Sequence, residues 1–285
     1  MSEPEFVLTL ACPDQRGIVH AVSGFLVAHG CDIVDNRQFD SKRSGRCYLR
    51  LHFAASSPQV TLDTLCASFR DIAAAYRMDW QLHPVDERAR VLLMVSRFGH
   101  CLNDLLYRRR TGQLRIDIPL IVSNHRDFEP LARSYDIPYV HLPVTADTKA
   151  EAEARLLELL DEHDVELVVL ARYMQVLSDD LCKRLDGKVI NIHHSFLPSF
   201  KGAKPYQQAF DRGVKVVGAT AHYVTPDLDE GPIIEQEVLR VDHAFDPRAL
   251  ATAGQDAEAL ALSRAVRWHC QHRVLLNDNS TVVFR

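Results

Sequence analysis

Lys188-Val-Ile-Asn-Ile-His193-His-Ser-Phe-Leu-Pro198 is a hydrophobic run that passes into polar residues and a proline-broken loop. Four shorter apolar runs precede it, at Val91–Ser96, Pro119–Ser123, Pro138–His141 and Glu166–Leu170. Helical spacing fills the gaps, most clearly over Thr148–His163, with Asp147 placed to cap that helix. Short hydrophobic strands alternating with helices predict a mainly parallel, Rossmann-like α/β sheet with helices on both faces. Two longer β-rich runs, Lys215–Val224 and Ile233–Val241, and a helix from about Pro247 to His272 complete this part.

Working outward to the N-terminus, the pattern changes. Phe6–Ala11 is β-rich, and Ile18, Val22, Phe25 and Leu26 recur at helical spacing between Gly17 and His29. Cys31–Asp40 is extended. Cys47–Ala54 alternates, with Tyr48, Arg50 and His52 on one face and Leu49, Leu51 and Phe53 on the other. A second helix, with Ser57-Pro58 as its start signal, buries Leu62, Leu65, Phe69 and Ile72, and Met78–Leu82 is a closing strand. The order βαββαβ predicts a ferredoxin-like domain over residues 1–84. Residues 85–90 are polar and read as a linker, leaving 91–285 as the second domain.

The 285 residues fit this two-domain division. With 47% hydrophobic and 25% charged residues the composition is that of a core-forming chain rather than a disordered one. A net charge of −5 argues against a nucleic-acid partner, and no apolar run approaches a membrane span. The acidic start lacks the basic character of a secretory signal, so a cytoplasmic protein is expected. Seven scattered cysteines, none in a C-x-x-C pair, read as reduced thiols rather than as a disulfide frame or zinc site.

Ligand sites in open α/β sheets lie beyond the carboxyl ends of strands, which is where Asn191 and His193 fall. Two apart on a strand, they share one side, roughly 6–7 Å between Cα atoms. An amide beside an imidazole can hold a carbonyl oxygen as it becomes an oxyanion. The same two residues would also serve to hydrogen-bond loop backbone. A metal set from His193, His194, His222 and His243 has less support, since no carboxylate accompanies it at ligand spacing. Downstream, Asp227, Asp229 and Glu230 crowd a loop closed by Gly231-Pro232. Such a loop can be a plain solvated turn, yet a carboxylate beside His193 would favour the protonated ring as a donor.

Asn191-Ile-His-His-Ser-Phe-Leu-Pro198 with Leu228-Asp-Glu-Gly-Pro-Ile-Ile234 resembles the folate-dependent formyltransferase superfamily. The resemblance implies a formyltransferase-fold sheet and places the catalytic roles on Asn191, His193 and Asp229. Leu170-Ala-Arg-Tyr-Met-Gln-Val-Leu177 is similar to the superfamily's folate-pocket segment. It implies substrate contacts from Met174, Gln175, Val176 and Leu177, joined by Thr225, Asp227 and Leu228 of the acidic loop. Leu10-Ala-Cys-Pro-Asp-Gln-Arg-Gly-Ile-Val19 resembles the entry of an ACT domain, which implies dimers or tetramers. It also marks Asp14, Arg16, Gly17 and Ile18 as a regulatory site for a small amino acid such as glycine or methionine. The helix N-terminus after Gly17 offers backbone N–H groups for a carboxylate, although the turn is equally explained as structural.

An ACT domain joined to this module is the pairing of the formyltetrahydrofolate deformylase family. The pairing implies hydrolysis of 10-formyltetrahydrofolate to tetrahydrofolate and formate. That activity would balance the one-carbon folate pool and supply formate for purine biosynthesis, with no metal or other cofactor. The alternative is formyl transfer to an unidentified amine. Superfamily members with phosphorylated acceptors carry a glycine-rich loop after the first strand of the module. Here Ser96–Asp104 has one glycine, Gly99, and two bulky rings, which leaves water as the acceptor. Arg97 in this loop could meet an anion, and Lys201 and Lys204 are candidates for the folate glutamate tail.

Overall fold

The computed structural model describes residues 3–198 and 205–285, and these divide into two compact units. The first contains β1 (Glu5–Pro13), α1 (Ile18–Ala28), β2 (Cys31–Ser41), β3 (Arg46–Ala55), α2 (Leu62–Tyr76) and β4 (Asp79–Pro84). Its strands form an antiparallel sheet in the order β2-β3-β1-β4, the expected ferredoxin-like arrangement. Alternation explains the core. Phe6, Leu8 and Leu10 of β1 and Leu49, Leu51 and Phe53 of β3 meet Val22, Phe25 and Leu26 of α1 and Leu65 and Phe69 of α2. Gly17 precedes α1 with φ 94°, a conformation that glycine adopts without the cost a side chain would carry.

Ser57 does not start α2. Thr61 and Thr64 form a capping box: each hydroxyl accepts the other's backbone N–H, at 3.3 and 3.1 Å. Asp147 likewise does not cap its helix, because Thr145 and Thr148 exchange the equivalent bonds at 3.2 and 3.0 Å.

The second unit runs from Arg88 to Cys270. It holds β5 (Ala89–Val95), α3 (His100–Arg110), β6 (Ile116–Asp117), β7 (Ile121–Ser123), α4 (Glu129–Ser134), β8 (Tyr139–His141) and α5 (Lys149–Glu162). These are followed by β9 (Leu167–Leu170), α6 (Asp179–Arg184), β10 (Val189–His193), α7 (Pro205–Asp211), β11 (Val216–Tyr223), β12 (Ile233–Arg240) and α8 (Pro247–Cys270). The sheet order is β12-β11-β10-β9-β5-β7-β8, with β6 beside β5. Strands β10, β9, β5, β7 and β8 are parallel, whereas β11 and β12 are antiparallel additions. Leu92, Met94, Val168 and Leu170 meet Leu156, Leu159 and Leu160 of α5 and Leu181 of α6. Helix α8 packs along β10, β11 and β12 and against α3. The chain leaves β5 toward β7 and later returns on its other side through β9, so the strand order switches there. That switch places a crevice over the carboxyl ends of β5, β9 and β10.

The expected boundaries need two corrections. Ala89 and Arg90 already pair with Ile116 and Asp117, so the 85–90 linker is shorter than its polarity implied. Residues 271–285 also group with the first unit, not with the second domain expected over 91–285. They form the hairpin β13 (Val274–Asn277) and β14 (Ser280–Val283). Its Val282, together with Phe284, packs on Tyr48, and the Tyr48 hydroxyl donates to Asn277 Oδ1 at 2.8 Å. Arg50 Nε donates to the His272 carbonyl at 3.1 Å. The polar face of β3 is therefore covered, and burial pushes Arg50 down to about 10.

Candidate active site

Strand β10 carries Asn191 and His193 to the crevice, and both line one cavity of about 510 Å3, the size of a small-molecule site. Asp229 comes from the β11–β12 connection, with φ 58°, a left-handed conformation that aspartate tolerates better than most side chains. The loop is tightly built. Thr225 Oγ1 and the Glu230 N–H both donate to the Asp227 carbonyl, at 3.1 and 3.2 Å. At Gly231 an added Cβ would lie 1.8 Å from the Tyr223 carbonyl oxygen. Gly231→Ala must therefore move backbone next to Asp229. A misplacement near 1 Å in a catalytic group can cost about 100-fold. We expect a loss of that order in kcat, with circular dichroism unchanged.

The proton positions follow from the partners. Asp229 Oδ2 lies 3.2 Å from His193 Nδ1, so Nδ1–H donates to the carboxylate, and a ring carrying that one hydrogen has its lone pair at Nε2. Nε2 is buried and has no hydrogen-bond partner among the described residues. His222 Nδ1–H donates to the Tyr223 carbonyl at 2.8 Å, which leaves its Nε2 to accept from Asn191 Nδ2 at 3.3 Å. Asn191 is thereby oriented with one amide hydrogen engaged and one available. Burial alone would raise the Asp229 carboxyl, but the hydrogen bond from His193 outweighs that and holds it well below the usual range.

His194 also lines the cavity. Burial first, then Arg172 and His193, push its ring down to about 4 from 6.5, against the opposing pull of Glu258 and Asp229. A base depressed in the folded state takes its proton on unfolding. Stability is therefore full above about pH 6.5 and declines as pH falls toward 4. Thermal unfolding should show a loss of a few degrees across that window that His194→Asn reduces, the buried ring of His269, also pushed down to about 4, supplying the rest.

Met174, Gln175, Val176, Leu177, Thr225 and Leu228 line the cavity together with Asn191, His193 and Asp229. Asp227 is not among the lining residues; its carbonyl instead ties the loop together. The 171–177 segment is anchored by Ser96, whose Oγ accepts the Met174 N–H at 2.9 Å and donates to Asn124 at 2.7 Å. Met174, Val176 and Leu228 remain more than half exposed, a surface suited to a flat apolar ring.

The formyl transferase family profile matches residues 89–266. A formyltetrahydrofolate deformylase from a Corynebacterium strain is 57% identical over 98% of both chains. The chain belongs to the formyltetrahydrofolate deformylase family. A solved deformylase of this family from Burkholderia mallei superposes with a TM-score of 0.95 at 52% identity, covering 99% of this chain and all of that one. Glycinamide ribonucleotide transformylase 1 from Symbiobacterium toebii matches with a TM-score of 0.66 at 28% identity, over 70% of this chain and 95% of that one.

In this deformylase-family chain, Gly99 has a packing reason: an added Cβ would lie 2.3 Å from the Phe128 ring. Sequence reasoning missed a charged cluster that meets the cavity through Arg172. Glu258 of α8 is almost fully buried and accepts from Tyr206 at 2.8 Å; His100 Nε2 lies 2.8 Å from its other oxygen. Arg172 Nε approaches that oxygen at 3.2 Å. Cys101 completes a set of close metal-ligand atom types with His100 and Glu258, but the guanidinium already supplies the cation and burial pushes the thiol well up. No signal short of the folded chain joins positions 100, 172, 206 and 258. In the first unit, Asp14, Arg16 and Gly17 are exposed around the start of α1, whereas Ile18 points into the core. Lys201 and Lys204 lie outside the described residues.

Proposed function

We propose that this chain hydrolyses 10-formyltetrahydrofolate to tetrahydrofolate and formate. The observation that carries the reading is His193, which lines the cavity with Asn191, is held by Asp229 at Nδ1, and has a buried Nε2 without a partner among the described residues. With the folate rings against Met174, Val176 and Leu228, the formyl group meets the carboxyl end of β10. His193 Nε2 takes one proton from water as the oxygen bonds to the formyl carbon. Asn191 Nδ2–H and the imidazolium hold the resulting oxyanion, and Asp229 stabilises the charged ring. The bond from carbon to the folate nitrogen then breaks as His193 returns the proton to that nitrogen. The second water proton leaves with formic acid, which ionises to formate. These steps require no metal or redox group. In water labelled with heavy oxygen, the formate should carry one labelled oxygen; unlabelled formate would contradict direct hydrolysis.

The first unit is proposed to join two copies and to sense a small amino acid near Asp14, Arg16 and Gly17. Support for the dimer comes from edge strand β2, which leaves Val34 57% and Phe39 46% exposed. Val34→Glu should convert the dimer to monomer in sedimentation. A cytoplasmic setting is supported by the free state of Cys12, Cys31, Cys47, Cys66, Cys101, Cys182 and Cys270. Among the described residues, no helix is long and apolar enough to cross a membrane.

A further inference from the structure

We propose that Arg172, held by Glu258, is the residue that restricts the formyl acceptor to water. The inference rests on the hydrolytic reading above and concerns what else could enter the same cavity. Leu170 pairs with Asn191 in the parallel ladder of β9 and β10. Arg172 follows two residues later, in the bend where the chain leaves β9, and lines the same cavity as His193. Its backbone has φ 64°, a left-handed conformation in which a bulky side chain is unfavourable. A buried arginine kept in a glycine-favouring conformation indicates that the side chain itself is needed there.

The guanidinium has two close neighbours. Nε sits 3.2 Å from Glu258 Oε2, an ion-pair contact without hydrogen-bond geometry, and Cζ lies 5.4 Å from the centre of the Phe98 ring. Glu258 in turn is fixed by His100 and Tyr206. The His194 ring bridges the region, with its centre 5.0 Å from His193 and 6.3 Å from Tyr206. The cavity thus combines exposed apolar side chains that suit the folate rings with the Arg172 side chain in the same lining as His193. Water needs little room and carries no charge. An amine nucleophile brings a substituent, and that substituent needs the space that Arg172 fills. In both routes the bond from the folate nitrogen to the formyl carbon breaks. Water gives formate, whereas an amine would form a new C–N bond and leave as a formamide, with its lost proton ending on the folate nitrogen.

The test is the ratio of N-formylglycinamide to formate when 10-formyltetrahydrofolate is turned over with glycinamide present. A purely structural loss would lower both products and leave their ratio alone. Wild type should give formate with only a trace of N-formylglycinamide. Arg172→Gly suits the backbone, and the double variant Arg172→Gly/Glu258→Gln removes the carboxylate charge left unpaired. Both should raise the ratio by about tenfold or more, the scale of discrimination by a single pocket group. If these variants do not fold, Glu258→Gln, which loosens the hold on Arg172, should still raise it. An unchanged ratio in any folded variant overturns the role of Arg172. Wild type that produces no formate would instead overturn the hydrolytic reading.

Discussion

Asp229→Asn should lower turnover by about 1,000- to 10,000-fold, the range seen when the carboxylate behind a catalytic imidazole becomes an amide. The geometry gives the reason. Asp229 accepts from His193 Nδ1–H at 3.2 Å, and this bond keeps the lone pair of the singly protonated ring on Nε2. An asparagine can donate to Nδ1 instead, which moves the ring hydrogen to Nε2 and removes the base. It also leaves the imidazolium without an anion as the transition state forms. The substitution nearly conserves shape, so circular dichroism and the melting profile should stay close to wild type. Single-turnover kinetics would then separate the loss of chemistry from any loss of substrate binding.

Asn191→Ala should cost about 100- to 1,000-fold in kcat, the usual effect of deleting one oxyanion donor. His222 accepts one amide hydrogen of Asn191 at 3.3 Å, so the other hydrogen has a fixed direction before substrate arrives. A donor aimed at charge that develops only in the transition state contributes little to ground-state binding. The loss should therefore appear equally in kcat and kcat/KM, with KM nearly unchanged. A rise in KM with kcat preserved would show that Asn191 grips the substrate rather than the oxyanion.

Much of this architecture could be read from local pattern. The apolar run ending at His193, the preceding parallel strands and the alternation of β3 each depend on neighbours in sequence. So does the placing of Asn191 and His193 on one side of β10. What escaped depends on distant partners or on backbone angles. The tail hairpin consists of two four-residue strands, too short for periodicity to register, and the face it covers lies on β3. The start of α2 was misplaced because Ser57-Pro58 carries the stronger generic signal, while the reciprocal Thr61–Thr64 bonds decide the boundary. Asp227 and Asp229 look alike in a loop. The left-handed turn at Asp229 is what separates the residue that meets His193 from the one whose carbonyl closes the loop. Arg172 and Glu258 were invisible for both reasons at once.

The most direct test of the central claim is formate and tetrahydrofolate release from 10-formyltetrahydrofolate by the wild-type chain, with no amine present and a chelator added. Hydrolysis by water alone predicts steady, chelator-resistant turnover that yields the two products in equal amounts. Turnover that appears only when an amine is supplied, or that stops when metal is removed, would contradict it.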